Sequence, residues 1–321
     1  MLQRPLGRTG LTVSVLSFGC GAVGGLMVRG APADQERAVA RALDAGIVYF
    51  DTAAAYGNGE SERNLGRVLK ALGRPALVGT KIGVPDASHG RIGPAIAKGL
   101  AASLQRLGRD SVDLFQLHNP VDVPGDPASL SLAQVLEEAV PALDRLRRAG
   151  KTRHIGITAI GDATSLRRIA ETGLIDTMQI PFNLLNPSAE TPGTQRDGHD
   201  FDGLLTHAAT AGVGGIGIRV LAGGALSGEA ARHPIAQPVV APIGSGVDYA
   251  TDLAAARRLQ PLVDAGAAES LAELALRFAL TPPAMSTVLI GLATLEQLEI
   301  ALRAAEKGPL PEDVLARIRA L

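Results

Sequence analysis

The sequence predicts a (β/α)8 barrel, an α/β fold in which eight parallel strands alternate with helices. Short apolar runs that end in polar or turn residues alternate along the chain with longer segments of helical periodicity. Eight such strand candidates suit a barrel in a chain of 321 residues. A doubly wound parallel sheet is the alternative architecture. No shift in composition marks a boundary, so we expect residues 1–321 to form one domain.

Each strand candidate is an apolar run that stops at a residue suited to a turn or to polar chemistry. The runs are 13–18, 47–50, 76–80, 112–117, 154–157, 177–180, 215–220 and 286–290. Apolar residues at three- and four-residue spacing predict helices, most clearly over 95–107, 132–146 and 271–280. Strands that alternate with helices in this way build parallel βαβ units.

Two stretches interrupt the alternation, 186–202 and 232–246, and both are rich in proline, glycine and polar residues. Long loops of this kind in a barrel often shape the mouth of the active site. Ordinary surface insertions would have the same composition, so both interpretations stay open.

The composition excludes several classes of function. A formal net charge of −1 argues against a broad basic surface for nucleic acid. The single cysteine, Cys20, excludes an intramolecular disulfide framework and a zinc knuckle. No apolar run reaches the roughly 18 residues of a membrane span, and the first residues do not lead into a signal-peptide core. We therefore expect a cytoplasmic protein whose partner is neither nucleic acid nor a membrane, and the sequence carries no signal for an oligomeric state.

The segment 19–24 matches G-x-G-x-x-G after a predicted strand. A dinucleotide fingerprint also needs a helix that opens at the third glycine. Here Gly25, Gly30 and Pro32 follow, and the first helix is predicted to begin near Asp34. The glycines therefore predict a tight turn. The six histidines lack H-E-x-x-H spacing, so we predict no metal site.

Polar side chains stand where three consecutive strand candidates end. Asp51 follows the second run, Lys81 the third and His118 the fourth. In a parallel barrel all three open onto the C-terminal end, where barrel enzymes place their chemistry. Tyr56 lies five residues after Asp51 in the same loop. One such residue has an ordinary explanation as a turn cap or a satisfied polar group, but four in matched positions favour an active site.

At these residues the chain resembles the aldo-keto reductases. The segment 51–62 is similar to the D-T-A-x-x-Y-G signature of that family, 79–81 to its lysine strand and 113–118 to its histidine strand. The opening 6–14 resembles its N-terminal hairpin, and the resemblance continues to 288–291. It implies a (β/α)8 TIM barrel with an N-terminal β-hairpin, and NAD(P)-dependent interconversion of carbonyls and alcohols.

The resemblance implies that Tyr56 is the general acid/base and that Asp51, Lys81 and His118 support it. The chemistry agrees, because hydride arriving at a carbonyl carbon leaves charge on the oxygen and an acid must supply a proton. A phenol, with a reference pKa of about 10, is a poor proton donor and a poorer base at neutral pH. A neighbouring ammonium lowers that pKa because it favours the phenolate. Lys81 would provide that ammonium and Asp51 would keep it charged. His118 would hold the substrate oxygen in position.

By the same resemblance, residues at the later strand ends bind the cofactor, NAD(P)H. The implied contacts are Asp51, Thr158, Gln179, Arg219, Leu221, Gly224, Leu226, Gly291, Thr294 and Gln297. Thr158 and Gln179 would hold the nicotinamide carboxamide. Arg219 and Leu221 would lie beside its ring, and 223–226 would wrap the pyrophosphate through backbone N–H groups.

The choice between NADPH and NADH depends on the segment 285–302, which has no Lys or Arg and carries Glu296 and Glu299. NADP-preferring members usually have a basic residue there for the 2′-phosphate. Thr294 and Gln297 form the pattern of a capping box, and the N–H groups of that helix start could also hold a phosphate. The family default is NADPH and the local charge favours NADH, so both stay open.

Two other functions fit the sequence. One is an NAD+-dependent aldose dehydrogenase of the same family. The other is a nucleotide-binding regulatory barrel without physiological turnover. The intact set of four polar residues favours an enzyme, and consumption of NAD(P)H with a panel of aldehydes would separate the two classes.

Overall fold

A computed structural model of the chain, which describes residues 1–85, 91–195 and 198–320, confirms the barrel and its N-terminal hairpin. The strands are β1 (Gln3–Pro5), β2 (Thr12–Ser14), β3 (Leu16–Gly19), β4 (Tyr49–Asp51), β5 (Leu77–Ile82), β6 (Val112–Leu117), β7 (Thr152–Thr158), β8 (Thr177–Pro181), β9 (Gly214–Ile218) and β10 (Met285–Gly291). Strands β3 to β10 are parallel and follow one another around the ring, which closes where β10 pairs with β3. Their carboxyl ends therefore meet at one end of the barrel.

Helices surround the ring, and most of them bury their apolar faces against it. They are α1 (Leu26–Arg29), α2 (Pro32–Asp44), α3 (Glu60–Leu72), α4 (Ile92–Leu107), α5 (Leu132–Gln134), α6 (Val140–Arg148), α7 (Ala163–Glu171), α8 (Leu204–Thr210), α9 (Tyr249–Arg257), α10 (Gln260–Asp264), α11 (Leu271–Ala279), α12 (Leu295–Lys307) and α13 (Glu312–Arg319). In α3, for example, Leu65 and Val68 are fully buried. Within the described ranges, no helix combines the length and the apolarity needed to span a membrane.

The first strand candidate, 13–18, is two strands rather than one. Its first part belongs to β2, which pairs antiparallel with β1, and the barrel strand β3 begins only at Leu16. The side chain of Ser14, at the end of β2, accepts a hydrogen bond from the backbone N–H of Val48 at 3.2 Å. Because the residues on both sides of this break are buried, the apolar pattern continues through it and does not show where β2 ends and β3 begins.

The predicted helix 132–146 is interrupted as well. A π-helical turn over Val135–Ala139 separates α5 from α6. Pro141 is the cause we assign, because proline has no N–H to donate to the carbonyl four residues earlier and its ring crowds that carbonyl. A wider turn accommodates the ring and lets the helix continue.

The glycine-rich segment 19–24 forms turns, as predicted, but a short helix follows it earlier than expected. Helix α1 begins after Gly25, whose φ of 89° is left-handed. A Cβ on Gly24 would overlap the backbone of Leu292, so glycine lets this loop contact the end of β10. The next helix begins at Pro32, close to the predicted start, with proline at its first position and Asp34 in its first turn instead of at the N-cap.

The hairpin β1–β2 closes the amino end of the barrel. Leu6 and Val13 are buried there. They pack inside the ring against Tyr49, Leu114, Ile216 and Leu289. The Arg4 guanidinium fixes the hairpin to the chain around β10. It donates to the carbonyl oxygens of Leu280 at 2.8 Å, Pro282 at 3.0 Å and Met285 at 2.7 Å. The barrel interior is thus filled below the polar strand ends.

The loop 232–246 crosses the carboxyl end of the barrel. The Gln237 N–H donates to the carbonyl of Val23, after β3, at 3.0 Å. The Arg232 guanidinium donates to the carbonyl of Gly223, after β9, at 2.7 Å. The loop therefore joins the segments that follow two different strands, on the side where the polar strand ends meet.

The loop 186–202, of which 196–197 lie outside the described residues, belongs to the same end. Asn186 is buried, and its amide nitrogen donates to the carbonyl of His199 at 2.8 Å and to that of Gly244. Both long loops therefore lie around the carboxyl ends of the strands, which agrees with the interpretation that they shape an active-site mouth.

Candidate active site

The four side chains predicted from the strand ends come together at the carboxyl end of neighbouring strands. Asp51 ends β4, Lys81 lies near the end of β5, His118 directly follows β6 and Tyr56 lies in the loop after β4. Side chains alternate along a strand, and this register turns Asp51 and Lys81 into the barrel. Lys81 is 0% exposed and Asp51 is 2% exposed.

Lys81 lies between Asp51 and Tyr56 and contacts both. Its ammonium donates to Asp51 Oδ1, to the carbonyl oxygen of Thr52 at 2.8 Å and to the Tyr56 hydroxyl at 3.2 Å. Burial by itself lowers the pKa of Lys81, but the charge of Asp51 and the contact with Tyr56 outweigh burial and raise that pKa. The ammonium is therefore retained, and one of its protons faces the Tyr56 oxygen.

The other carboxylate oxygen of Asp51 is held from three sides. Asp51 Oδ2 accepts from the Tyr49 hydroxyl at 2.8 Å, from Gln179 Nε2 at 2.7 Å and from Gln116 Nε2 at 3.5 Å. Hydrogen bonds to a charged acceptor are stronger than neutral ones. The carboxylate is fixed in one orientation, and it fixes the Lys81 ammonium in turn.

Sequence reasoning missed two of these donors, Tyr49 and Gln116. The signal that could have found them is strand alternation, because each lies two residues before a predicted site residue and so on the same face of its strand. A glycine on the neighbouring strand makes room for Tyr49. A Cβ on Gly79 would overlap the Tyr49 hydroxyl.

His118 is a neutral imidazole that contacts Tyr56. The two rings meet edge to face, with centroids 5.8 Å apart and an interplanar angle of 83°. Burial, with a smaller contribution from the Lys81 charge, lowers the pKa of His118 to about 3. A neutral imidazole has one donor and one acceptor nitrogen. His118 can therefore orient an oxygen atom at the Tyr56 hydroxyl without giving up a proton.

Cys20 follows β3 and is buried behind the site. Its backbone N–H donates to the carbonyl of Asp51 at 2.8 Å. Burial first, and then the Asp51 charge, raises the pKa of its thiol far above the ordinary value. It therefore stays a thiol at neutral pH. The described part of the chain contains no group of three or more His, Cys, Asp or Glu placed to hold a metal ion.

Thr158 and Gln179 lie side by side at the ends of β7 and β8 and are paired in register. Both are buried, and Thr158 Oγ1 has no hydrogen-bond partner among the described residues. Gln179 uses its amide nitrogen on Asp51. A carboxamide, with two N–H donors and a carbonyl acceptor, can satisfy the hydroxyl that lacks a partner. These residues therefore fit a nicotinamide.

The segment after β9 is arranged differently from the expectation for a phosphate loop. Arg219 has a left-handed φ of 59°, which is uncommon outside glycine, and burial lowers the pKa of its guanidinium. The N–H groups of Gly224 and Leu226 both donate to the carbonyl of half-buried Leu221, at 2.8 and 3.2 Å. The Leu226 side chain is fully buried. A pyrophosphate would have to replace this internal partner.

Gly291 ends β10 and is exposed, and the next helix caps itself. Thr294 Oγ1 accepts from the Gln297 N–H at 3.3 Å, as a capping box requires. The Gln297 side chain, however, accepts from the Ala293 N–H at 2.7 Å rather than from Thr294. The second hydrogen bond of the capping box is therefore displaced by one residue, and the Gln297 side chain occupies the Ala293 N–H.

The charge of this segment differs from what sequence alone indicated. Glu299 pairs with Arg41 of α2 through two hydrogen bonds, at 2.7 and 3.0 Å. Within the described ranges Glu296 forms no ion pair, and it is exposed. Only one of the two carboxylates therefore carries an uncompensated charge.

The chain matches known proteins of one family over most of its length. The model of the family described as "Aldo/keto reductase family" matches residues 15–321. The L-galactose dehydrogenase of Arabidopsis thaliana is 30% identical over 329 aligned positions, which cover 99% of this chain and 93% of that protein. A D-threo-aldose 1-dehydrogenase from Pseudomonas sp is 33% identical, over 57% of this chain and 61% of that protein.

Among solved structures, the holo form of the aldo-keto reductase AKR11C1 from Bacillus halodurans shares the fold. Its TM-score is 0.74 at 24% sequence identity, and the alignment covers 100% of this chain and 96% of that one.

Proposed function

Because this chain belongs to the aldo/keto reductase family of oxidoreductases, we propose that it interconverts a small aldehyde or ketone and its alcohol with NAD(P)H, using Tyr56 as general acid/base. The observation that carries the proposal is the Lys81 ammonium. It is fully buried, is bonded to Asp51 and lies 3.2 Å from the Tyr56 hydroxyl. A cation so placed stabilises negative charge that develops on the Tyr56 oxygen, and the burial of Lys81 limits screening by solvent.

Each of the four residues has a defined part in the proton transfer. A nicotinamide bound at the later strand ends would supply the hydride for reduction or accept it in oxidation. Tyr56 gives its proton to the carbonyl oxygen, and the phenolate that remains is stabilised by Lys81. In oxidation the phenolate takes the proton of the alcohol. Asp51 holds Lys81, and neutral His118 orients the reacting oxygen by a hydrogen bond.

The cofactor is assigned to the residues at the later strand ends. Thr158 and Gln179 would hold the carboxamide, and Arg219 and Leu221 would lie beside the ring. Gly224 and Leu226 would contact the pyrophosphate only by exchanging the Leu221 carbonyl, to which their N–H groups now donate, for a phosphate oxygen. The adenosine end would lie at Gly291, Thr294 and Gln297. Because 285–302 has no basic residue and Glu299 is neutralised by Arg41, we propose weak discrimination between NADPH and NADH.

A second candidate is oxidation of an aldose with NAD+. The similarity that favours it extends over almost the whole chain, to a protein named L-galactose dehydrogenase, and a second relative is named for the oxidation of D-threo-aldoses. The same four residues serve this reaction, with Tyr56 acting as the base.

The test is spectrophotometric turnover in both directions. Aldehydes would be supplied with NADPH and NADH, and aldoses and simple alcohols with NADP+ and NAD+. Tyr56→Phe, with its fold checked by circular dichroism, is the control that separates turnover at this site from contaminating activity. If the protein binds both cofactors but turns over none of these substrates, it is the regulatory barrel instead.

A further inference from the structure

We propose that Tyr49 is a positioning residue for the proton transfer, because its hydroxyl holds Asp51 and thereby sets the charge that Lys81 presents to Tyr56. This inference rests on the proposed function of Tyr56. It concerns a residue below the substrate-binding end of the barrel, which reaches the reacting atoms only through the buried Asp51–Lys81 pair.

Tyr49 is placed for this contact by the strand and by its neighbour. It is 1% exposed and lies two residues before Asp51 on β4, so both side chains point into the barrel. Its hydroxyl lies 2.8 Å from Asp51 Oδ2. On the adjacent strand, Gly79 provides the space that the hydroxyl occupies, since a Cβ there would overlap it.

The side chains that pack against the Tyr49 ring are apolar and do not explain its hydroxyl. Tyr49 packs in an apolar cluster with Leu6, Val13, Leu114, Ile216 and Leu289. A phenylalanine would suit this cluster as well, and it would avoid the cost of burying a polar group. Asp51 is the partner that compensates that cost.

The hydroxyl acts as a donor throughout the working range of pH. Burial first, and then the charge of Asp51, raises the pKa of Tyr49 well above its ordinary value. A donor on Oδ2 draws off part of the carboxylate charge. Without it, more negative charge faces Lys81 and, beyond Lys81, the Tyr56 hydroxyl. That charge disfavours the phenolate, so alcohol oxidation would need a higher pH.

Other charged or titratable groups lie near Tyr49, Asp51, Lys81 or Tyr56 on the surrounding elements. They are Cys20 after β3, Tyr56 after β4, Lys81 on β5, Asp113 on β6, His118 after β6 and Arg219 after β9. Burial keeps the Cys20 thiol and the His118 imidazole neutral near pH 7. Neither can therefore account for a change in the profile when the Tyr49 hydroxyl is removed.

The experiment is the pH profile of alcohol or aldose oxidation by Tyr49→Phe. Because the lost hydrogen bond acts on Tyr56 only through Asp51 and Lys81, we expect part of its full effect, an upward shift of the midpoint by about 0.5 to 1 pH unit. Below the midpoint, kcat should fall by roughly three- to tenfold on the same basis. KM should stay unchanged, because Tyr49 does not touch the substrate. Gly79→Ala, which displaces the hydroxyl and keeps the tyrosine, should shift the midpoint in the same direction and provides the measurement if Tyr49→Phe does not fold.

A matched control deletes a buried hydroxyl that does not contact Asp51. Ser17 Oγ and Thr287 Oγ1 are hydrogen-bonded at 2.6 Å inside the barrel. Ser17→Ala should lower stability and leave the midpoint where it is. If Tyr49→Phe behaves like Ser17→Ala while Tyr56→Phe abolishes turnover, the inference is wrong and the proposed function stands. If Tyr56→Phe retains turnover, both are wrong.

Discussion

Asp51 and Lys81 form a buried ion pair, so replacing both should cost less free energy of unfolding than the sum of the two single substitutions. Lys81→Met leaves a carboxylate without its cation, and Asp51→Asn leaves an ammonium without its anion. The double variant leaves neither charge. Each single variant should therefore lose stability, and the double variant should recover part of that loss.

The size of each loss of stability follows from the burial of the pair and from the hydrogen-bond partners that remain to the unpaired charge. The side chains of Lys81 and Asp51 are 0% and 3% exposed, so water cannot solvate the charge left behind. Breaking such a pair costs about 3–5 kcal/mol in free energy of unfolding. In Lys81→Met, Asp51 keeps the donors Tyr49 and Gln179, which places the cost near the lower limit. In Asp51→Asn, the ammonium keeps Thr52 and Tyr56 but no anion, and the single amide oxygen cannot serve both Lys81 and the donors on the other side, which places the cost near the upper limit.

The assay is urea unfolding followed by circular dichroism for the parent and the three variants at pH 7. We expect the double variant to be more stable than the sum of the single effects by about 2–3 kcal/mol. All three should lose turnover by at least about 100-fold, because each removes the organised cation at Tyr56. Additive single effects would refute the reasoning. General unfolding of Asp51→Asn would make Asp51 a structural residue instead.

Three further predictions concern the acid, the imidazole and the cofactor. Tyr56→Phe should lower turnover by at least about 100-fold with unchanged cofactor affinity in fluorescence titrations; turnover within a few-fold of the parent would remove Tyr56 from the mechanism. Burial holds the pKa of His118 at about 3, below its unfolded value of about 6.5, so stability should be lost as pH falls from about 6.5 towards 3. Urea titrations across that range should show a weaker dependence in His118→Gln, and an equal dependence would contradict this. Ala293→Arg should tighten NADPH about tenfold, or roughly 1.4 kcal/mol, without tightening NADH, and a parent preference for NADPH of about a hundredfold or more would show that basic residues elsewhere hold the phosphate.

Most of the fold was predictable because burial and chemistry leave separate signals along each strand. The predicted run 112–117 coincides with β6, and the runs that became β5 and β7 to β10 differ from the observed strands by a few residues at their ends. The boundary between β2 and β3 was not predictable, since both strands are buried and only pairing with β1 separates them. The π-helical turn before Pro141 likewise depends on how the helix packs, beyond what its periodicity shows.

In the candidate site, the four residues at strand ends were predictable and their supports were not. Tyr49 looks like an ordinary core aromatic in the sequence, and its contact with Asp51 depends on the register of β4 against β5 and on the space at Gly79. The Gly224 N–H was expected to be available to a phosphate. It is instead bonded to Leu221, within a local turn that the glycine pattern alone does not specify.

The attachment of Arg4 to residues 280–285 has a consequence for the order of assembly during synthesis. The carbonyls that receive this guanidinium lie 276 to 281 residues further along the chain, and the strand β10 that closes the ring on β3 is made equally late relative to the hairpin. Until then Leu6 and Val13 lack the enclosed interior in which they are finally buried. Until β10 has been made, the nascent chain therefore carries an apolar hairpin without its enclosing barrel, which exposes it to chaperones and to aggregation.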